Sequence, residues 1–186
     1  EGATGTVALL HLAHPAREVL YPKQQRFLQA KVTGWDQVKK VLHTSNGEAP
    51  YDILVLALGT RTNFFNVPGA KEHAMPIKTM DDALHMRRRI IDTIEGATRL
   101  PPGEPRSKAL HFVIVGAGYT GVEMAGQLAD LFTGDARRLY PELQPSDHQI
   151  TMVHAGDRIL PMLSESGSRA GQKRLESFGI NVKTKT

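Results

Sequence analysis

The 186-residue sequence contains no cysteine. That excludes a disulfide framework within the chain and any Cys-ligated zinc or iron–sulfur centre, so redox chemistry here has to rest on a bound cofactor. Long apolar runs are lacking as well. The longest, Ile53 to Leu58, is far shorter than the about 20 residues that span a membrane. No stretch has the pattern of a secretory signal. Lys and Arg outnumber Asp and Glu by 23 to 19, yet they cluster only at Arg87–Arg89, Arg137–Arg138 and Lys183/Lys185. A nucleic-acid partner needs a denser basic stripe, and none is expected. No serine stands in a nucleophile-elbow context, which removes the hydrolase reading. His11 and His14 have a helical metal-ligand spacing, but no carboxylate lies close by and Pro15 interrupts, so no metal site is expected.

What is present is ordinary for a folded domain: 40% hydrophobic and 23% charged residues, in a length that suits one good core or two small ones. The chain opens on Glu1-Gly2 and stops at Lys185-Thr186, just past the start of a strand, and is expected to be part of something longer. Residues 29 to 43 hold two apolar stretches around a turn at Gly34 to Asp36, which predicts a hairpin. Ile53 to Ala57 is apolar on both faces, as in a strand covered on both sides in a parallel sheet, with a tight exit at Gly59. Thr79 and Asp82 form a capping-box pattern, after which Ala83, Met86, Ile90 and Ile94 recur at helical spacing up to Gly96. The Pro- and Gly-rich stretch 101–109 reads as a linker.

Beyond that linker the order is a strand over 110–115, a helix from about 119 to 132, a strand over 149–154, a helix over 165–177 and a strand from Ile180. This is a βαβαβ unit, the half of a doubly wound fold that holds the ADP part of a dinucleotide. The stretch "HFVIVGAGYTGVEMAG" at residues 111–126 carries its fingerprint. Gly116 suits the tight turn, Gly118 lets the backbone approach a pyrophosphate, and Gly121 permits close helix-to-strand packing. Tyr119 and Thr120 lie between them, where the first helical amides and the positive dipole end meet phosphates. The alternative is a glycine turn that merely packs tightly.

A dinucleotide fold that prefers NADH usually has an acidic residue at the end of its second strand, on the ribose 2′-hydroxyl. Here that position falls on His154. A neutral imidazole can accept from the hydroxyl, whereas an imidazolium beside Arg158 favours a 2′-phosphate, so NADPH stays open beside NADH. Asp157 either reaches the ribose or pairs with Arg158.

Upstream, "YDILVLALGTRTNFFNVPGA" resembles the segment of two-dinucleotide flavoprotein reductases in which a strand ends in a turn against the flavin. Asn63-Phe64-Phe65 and Val67-Pro68-Gly69 narrow the resemblance to the type II NADH:quinone oxidoreductases, as do "KTMDDALHMRRRI", "GYTGVEMAGQL", "LYPEL" and "DRILPML". The resemblance implies an α/β, FAD/NAD(P)-binding Rossmann-like fold, in part. Residues 1–100 would be the later part of the FAD-binding domain and the crossover, and 110–186 the NAD(P)H-binding half-domain. It also implies that this is the middle of an enzyme whose first FAD fingerprint and membrane-attaching C-terminal part lie elsewhere.

The implied chemistry is hydride transfer from NADH to FAD, with electrons passing to a quinone without proton pumping. The implied flavin contacts are Val32, Ala57, Gly59 and Thr60, where Ala57-Leu58-Gly59 replaces the usual Ala-Thr-Gly and leaves the contact to backbone and Thr60. Glu123 would sit where nicotinamide meets flavin and tune charge or relay a proton, although an acid near a helix start is stabilised by the dipole whatever its job. Phe64 and Phe65 either flank the cofactor or simply pack. The implied location is the surface of an energy-transducing membrane, the mitochondrial inner membrane favoured over a bacterial one, with a homodimer left open. Two other readings fit the same residues: an NAD(P)H:flavin reductase serving ferredoxin or a disulfide, and a non-catalytic nucleotide-binding module.

Overall fold

The computed structural model describes residues 3–5, 14–20 and 24–186. The chain divides into two compact units, one of Leu10–Ala74 and the other of Glu1–Leu9 with Met75–Thr186.

In the smaller unit a short helix α1 (Ala16–Val19) precedes three strands, β1 (Val32–Asp36), β2 (Val41–Thr44) and β3 (Gly47–Pro50), paired antiparallel in that order. The first turn lies at residues 37–40, not at Gly34 to Asp36. Asp36 builds it: its Oδ1 accepts from the amides of Val38 at 2.9 Å and Lys39 at 2.8 Å. Gly34 instead stands inside β1, opposite His43, where the register shifts after Val32. A glycine at a bulge costs little, which is why it misleads as a turn signal.

Ile53 to Ala57 is not a strand in this structure. Ile53 is 85% and Val55 80% exposed. An extended apolar segment gains from strand geometry only when a neighbour takes up its backbone groups, and no described strand pairs with it. A one-turn helix α2 (Ala70–His73) closes this unit.

The larger unit begins with α3 (Met80–Thr98). Thr79 Oγ1 accepts from the Asp82 amide, and the Asp82 carboxylate accepts from the Thr79 amide at 2.8 Å, so the capping box forms as its pattern implies. Met86, Ile90, Ile94 and Ala97 form the buried face. The stretch 101–109, expected as a linker, folds here: Glu104–Ala109 is helix α4, started by a proline in its first turn. It is held by Arg106, which is 4% exposed and pairs with Asp147 at 3.1 Å. Pro and Gly punctuate a turn here without separating two bodies, and the compact units part between Ala74 and Met75 instead.

Then follow β4 (His111–Val115), α5 (Tyr119–Thr133), α6 (Asp135–Leu139), a 3-10 turn at Pro145–Asp147, β5 (Gln149–His154), α7 (Glu165–Ser177) and β6 (Asn181–Thr184). The strands pair parallel in the order β4-β5-β6, with Val113 opposite Thr151 and Thr151 opposite Asn181. The buried stripe of α5, Ala125, Leu128, Ala129 and Phe132, packs with Ile150 and Met152 of β5 in one core. The sheet and its helices fix one end, where β4 and β5 terminate and α5 begins, and that end carries the site.

Candidate functional site

Gly116 leaves β4 with φ 100°, a conformation that disfavours any side chain, and its amide donates to the Val153 carbonyl of β5 at 2.9 Å. The chain therefore turns while still held to the sheet. Gly118 is the N-cap of α5 with φ −76°, so its backbone would suit any residue. Nothing in the structure itself requires glycine there, for open space lies where a Cβ would stand, with no atom within 4 Å. Gly121 is the opposite case. A Cβ there would collide with the Gly116 carbonyl, and would also touch Ile114 Cγ2 at 3.5 Å. The three glycines thus act separately, one for the turn, one for open space and one for contact between helix and turn.

Val122 is the first residue of α5 whose amide finds a carbonyl at the helix start, that of Gly118, at 3.0 Å. The amides of Tyr119, Thr120 and Gly121 precede the first turn's acceptors and remain available at the open space before Gly118. This arrangement suits a bridging anion such as a pyrophosphate. The side chains of Tyr119 and Thr120 are exposed beside it.

His154 ends β5 beside this turn, and its Nδ1 lies 3.4 Å from the Ala117 amide. The structure therefore brings Gly116, Gly118, Tyr119, Thr120, Gly121 and His154 to one end of the sheet. A hydrogen bond from the Leu160 amide to the Ala117 carbonyl, 2.8 Å long, ties the following loop to the same turn. Arg158 gives its Nη2 to the Pro161 carbonyl at 3.0 Å, not to Asp157, which is exposed. Glu123 is exposed on the second turn of α5 and makes no hydrogen bond or ion pair to another described residue.

The flavin contacts expected in the smaller unit are less assembled. Gly59 takes φ 71° with open space around it, which suits a backbone meeting a flat ring, and Ala57 and Thr60 are exposed on either side. Val32 lies in β1, and no hydrogen bond joins it to residues 57–60. Phe65 is exposed with φ 52°, its amide bonded to Asn63 Oδ1 at 2.8 Å, while Phe64 is half-buried. Of the two histidines with metal-like spacing, His11 lies outside the described residues and His14 is exposed.

Two features went unread in the sequence. The Arg106–Asp147 pair is one: Arg106 also donates to the carbonyls of Glu142 and Leu100, each at 2.9 Å, and so fastens α4 to the connection before β5. Burial pushes the Asp147 carboxyl up, but donors from the Gln144 amide and the Arg106 guanidinium outweigh it and hold the group below the usual carboxylate range. The other is Gly156, which packs on the His154 ring. The Arg106–Asp147 pair has no local signature, because the fold brings its two members together across 41 residues.

The chain matches the family model of the pyridine nucleotide-disulphide oxidoreductases over residues 3–186. It is 36% identical to the mitochondrial external alternative NAD(P)H-ubiquinone oxidoreductase B4 of Arabidopsis thaliana, over 97% of this chain and 33% of the relative. It is also 36% identical to a probable mitochondrial NADH-ubiquinone oxidoreductase of Schizosaccharomyces pombe, over 99% of this chain and 35% of that one. The structure of NDH2 from Plasmodium falciparum in complex with NADH superposes with a TM-score of 0.71 at 29% identity, covering 84% of this chain and 33% of the other. The chain therefore spans about a third of the length of the relatives it matches.

Proposed function

The chain belongs to the pyridine nucleotide-disulphide oxidoreductase family, and from that premise we propose that it is the central part of a type II NADH:quinone oxidoreductase, carrying the site that binds the nicotinamide dinucleotide. One observation carries the reading. A parallel β4-β5-β6 sheet presents Gly116, Gly118 and Gly121 at the start of α5, with open space where a side chain on Gly118 would stand. The names of the Arabidopsis and fission-yeast relatives supply the acceptor, ubiquinone.

In this reading the orphan amides of Tyr119, Thr120 and Gly121 hold the pyrophosphate, aided by the positive end of α5. Gly116 sets the angle at which the chain leaves the sheet, so that these amides face outward. His154 meets the adenosine ribose. Glu123, exposed near the start of the same helix, faces the nicotinamide side and stabilises positive charge there or relays a proton. FAD, when bound, would supply the two-electron acceptor for the hydride and the electron path to the quinone. Gly59, with Ala57 and Thr60, gives it one backbone wall, and Val32 lies on the sheet of the same unit. The remaining contacts belong to the larger protein of which the chain matches a third.

The relatives are mitochondrial by name, and we place the complete protein at the inner membrane surface. No helix among the described residues is long and apolar enough to cross a membrane; peripheral attachment and a homodimer are both part of this proposal. The test is the full-length protein with its flavin. NADH added without oxygen should bleach the flavin, and a soluble ubiquinone analogue should restore it. Bleaching reversed only by ferredoxin or a disulfide would reassign the acceptor, and no bleaching by NADH or NADPH would remove the reading.

A further inference from the structure

A cavity of about 140 Å³ lies at the end of the parallel sheet away from the glycine turn. Leu110 and His148, the residues just before β4 and β5, both line it. Gly116 stands about 20 Å further along, at about 3.3 Å per residue of strand. Phe132, Ala136, Leu143 and Pro145 make most of the remaining wall. The cavity stays open because its walls are tied to other partners. Asp147 Oδ2 fixes the turn at Pro145–Asp147 by accepting from Arg106 Nη1 at 3.1 Å and from the Gln144 amide at 2.8 Å. Phe132 is held between His148, on which it stacks, and the tilted ring of Phe112 at 5.5 Å. Gly134 ends α5 and starts α6, and that corner carries Ala136 and Arg137.

We propose that this cavity is a second ligand site, one that takes an uncharged, single-ring aromatic molecule. Size sets the first limit: an apolar cavity of about 150 Å³ stays dry and admits benzene. Charge sets the second. The Asp147 carboxylate, 3% exposed, lines the cavity, and the negative end of α5 points toward it, so an anion is disfavoured. Burial lowers the His148 pKa, which leaves that ring apolar in character at neutral pH. Arg137 sets the third. It lines the cavity and forms no ion pair among the described residues, whereas its neighbour Arg138 pairs with Asp135 at 3.0 Å. A guanidinium repels a cationic ligand and is attracted to the face of an aromatic ring, which favours such a ring over an aliphatic molecule of equal size.

The experiment titrates fluorobenzene into the full-length flavoprotein and follows its fluorine NMR signal, with and without saturating NADH under anaerobic conditions. Binding should saturate, and NADH should not displace the probe. Ala136→Leu fills the cavity and should weaken binding about tenfold or more, about 1.4 kcal/mol. Leu143→Phe, on the connection before β5, fills it from the other side and should do the same. Arg137→Gln should weaken fluorobenzene severalfold while NADH bleaches the flavin at the native rate. Cyclohexane should bind more weakly than fluorobenzene, and benzoate should not compete. Crystals soaked with iodobenzene, which need no variant to fold, should place the iodine signal in the cavity. Absence of saturable binding would overturn the proposal, as would displacement by NADH or an iodine signal elsewhere. Benzoate bound as tightly as fluorobenzene would overturn it too, and so would full-strength binding to folded Ala136→Leu and Leu143→Phe.

Discussion

Gly121 sits so close to Gly116 that a side chain on it would run into the Gly116 carbonyl, and this contact sets α5 against the turn that leaves β4. Gly126, five residues further along the same helix, has nothing within 4 Å of its own Cβ position. The two glycines should therefore respond to alanine with opposite signs. Gly121→Ala should destabilise the unit by about 1 to 3 kcal/mol, since backbone has to move to admit the methyl group. Gly126→Ala should stabilise it by about 0.4 to 1 kcal/mol, by restricting the unfolded chain in a helix interior. Paired denaturant titrations read both.

Arg106 and Asp147 form a buried pair whose partners are otherwise backbone groups. Arg106→Met leaves a buried carboxylate with amide donors alone, and should cost about 3 to 5 kcal/mol. The double variant Arg106→Met with Asp147→Asn should recover a large part of that loss. A loss for the double equal to the sum of the two singles would show that the two side chains are not coupled.

His148 stacks on Phe132, ring centroids 4.3 Å apart and planes 7° off parallel. Burial lowers its pKa from the ordinary histidine value, against a smaller opposing pull from Asp147. The folded state thus takes up the proton less readily than the unfolded one. Stability is full above the unfolded pKa, about 6.5, and falls as pH drops from there toward the folded value. His148→Phe keeps the stack without the titration. Its melting temperature should change less between about pH 7 and pH 5 than that of the native protein, a window still above the carboxylate range.

Glu123→Gln in the full-length protein separates a functional acid from a helix residue. If Glu123 works at the nicotinamide, flavin reduction should slow by on the order of 10² with NADH affinity little changed. If it only complements the helix dipole, reduction is untouched and stability falls by a few tenths of a kcal/mol, at about the lower end of such effects. Stopped-flow reduction and a thermal melt on one sample distinguish the two.

What could be read from the residues was whatever local physics decides. β5 and α7 follow the predicted bounds, 149–154 and 165–177, because their stops are local: Ser164 caps the Gly167 amide at 3.2 Å, and Gly179 takes φ 79° beyond the helix. Two glycines of the turn were legible because each answers a short-range demand, Gly116 a φ of 100° and Gly121 the contact with the Gly116 carbonyl. Ile53 to Ala57 was not, since a strand apolar on both faces depends on neighbours its own residues do not specify. Nor was the fold of 101–109: Pro and Gly announce a change of direction, and only Asp147, some forty residues on, makes Arg106 a buried anchor. Gly156 was silent for another reason: its neighbour is only two residues back, but the contact depends on how the His154 ring turns at the end of β5.

The central claim is that the start of α5 holds a dinucleotide pyrophosphate in the space before Gly118, and Gly118→Val in the full-length flavoprotein tests it most directly. The N-cap conformation at φ −76° and ψ −176° admits a β-branched residue, so the fold should survive. The isopropyl group would occupy the phosphate's place. Measured by titration and by the rate of flavin bleaching, NADH affinity should fall by about 100-fold or more, about 2.7 kcal/mol, with an unchanged melting temperature. A variant that melts like the native protein and binds NADH as tightly would contradict the account.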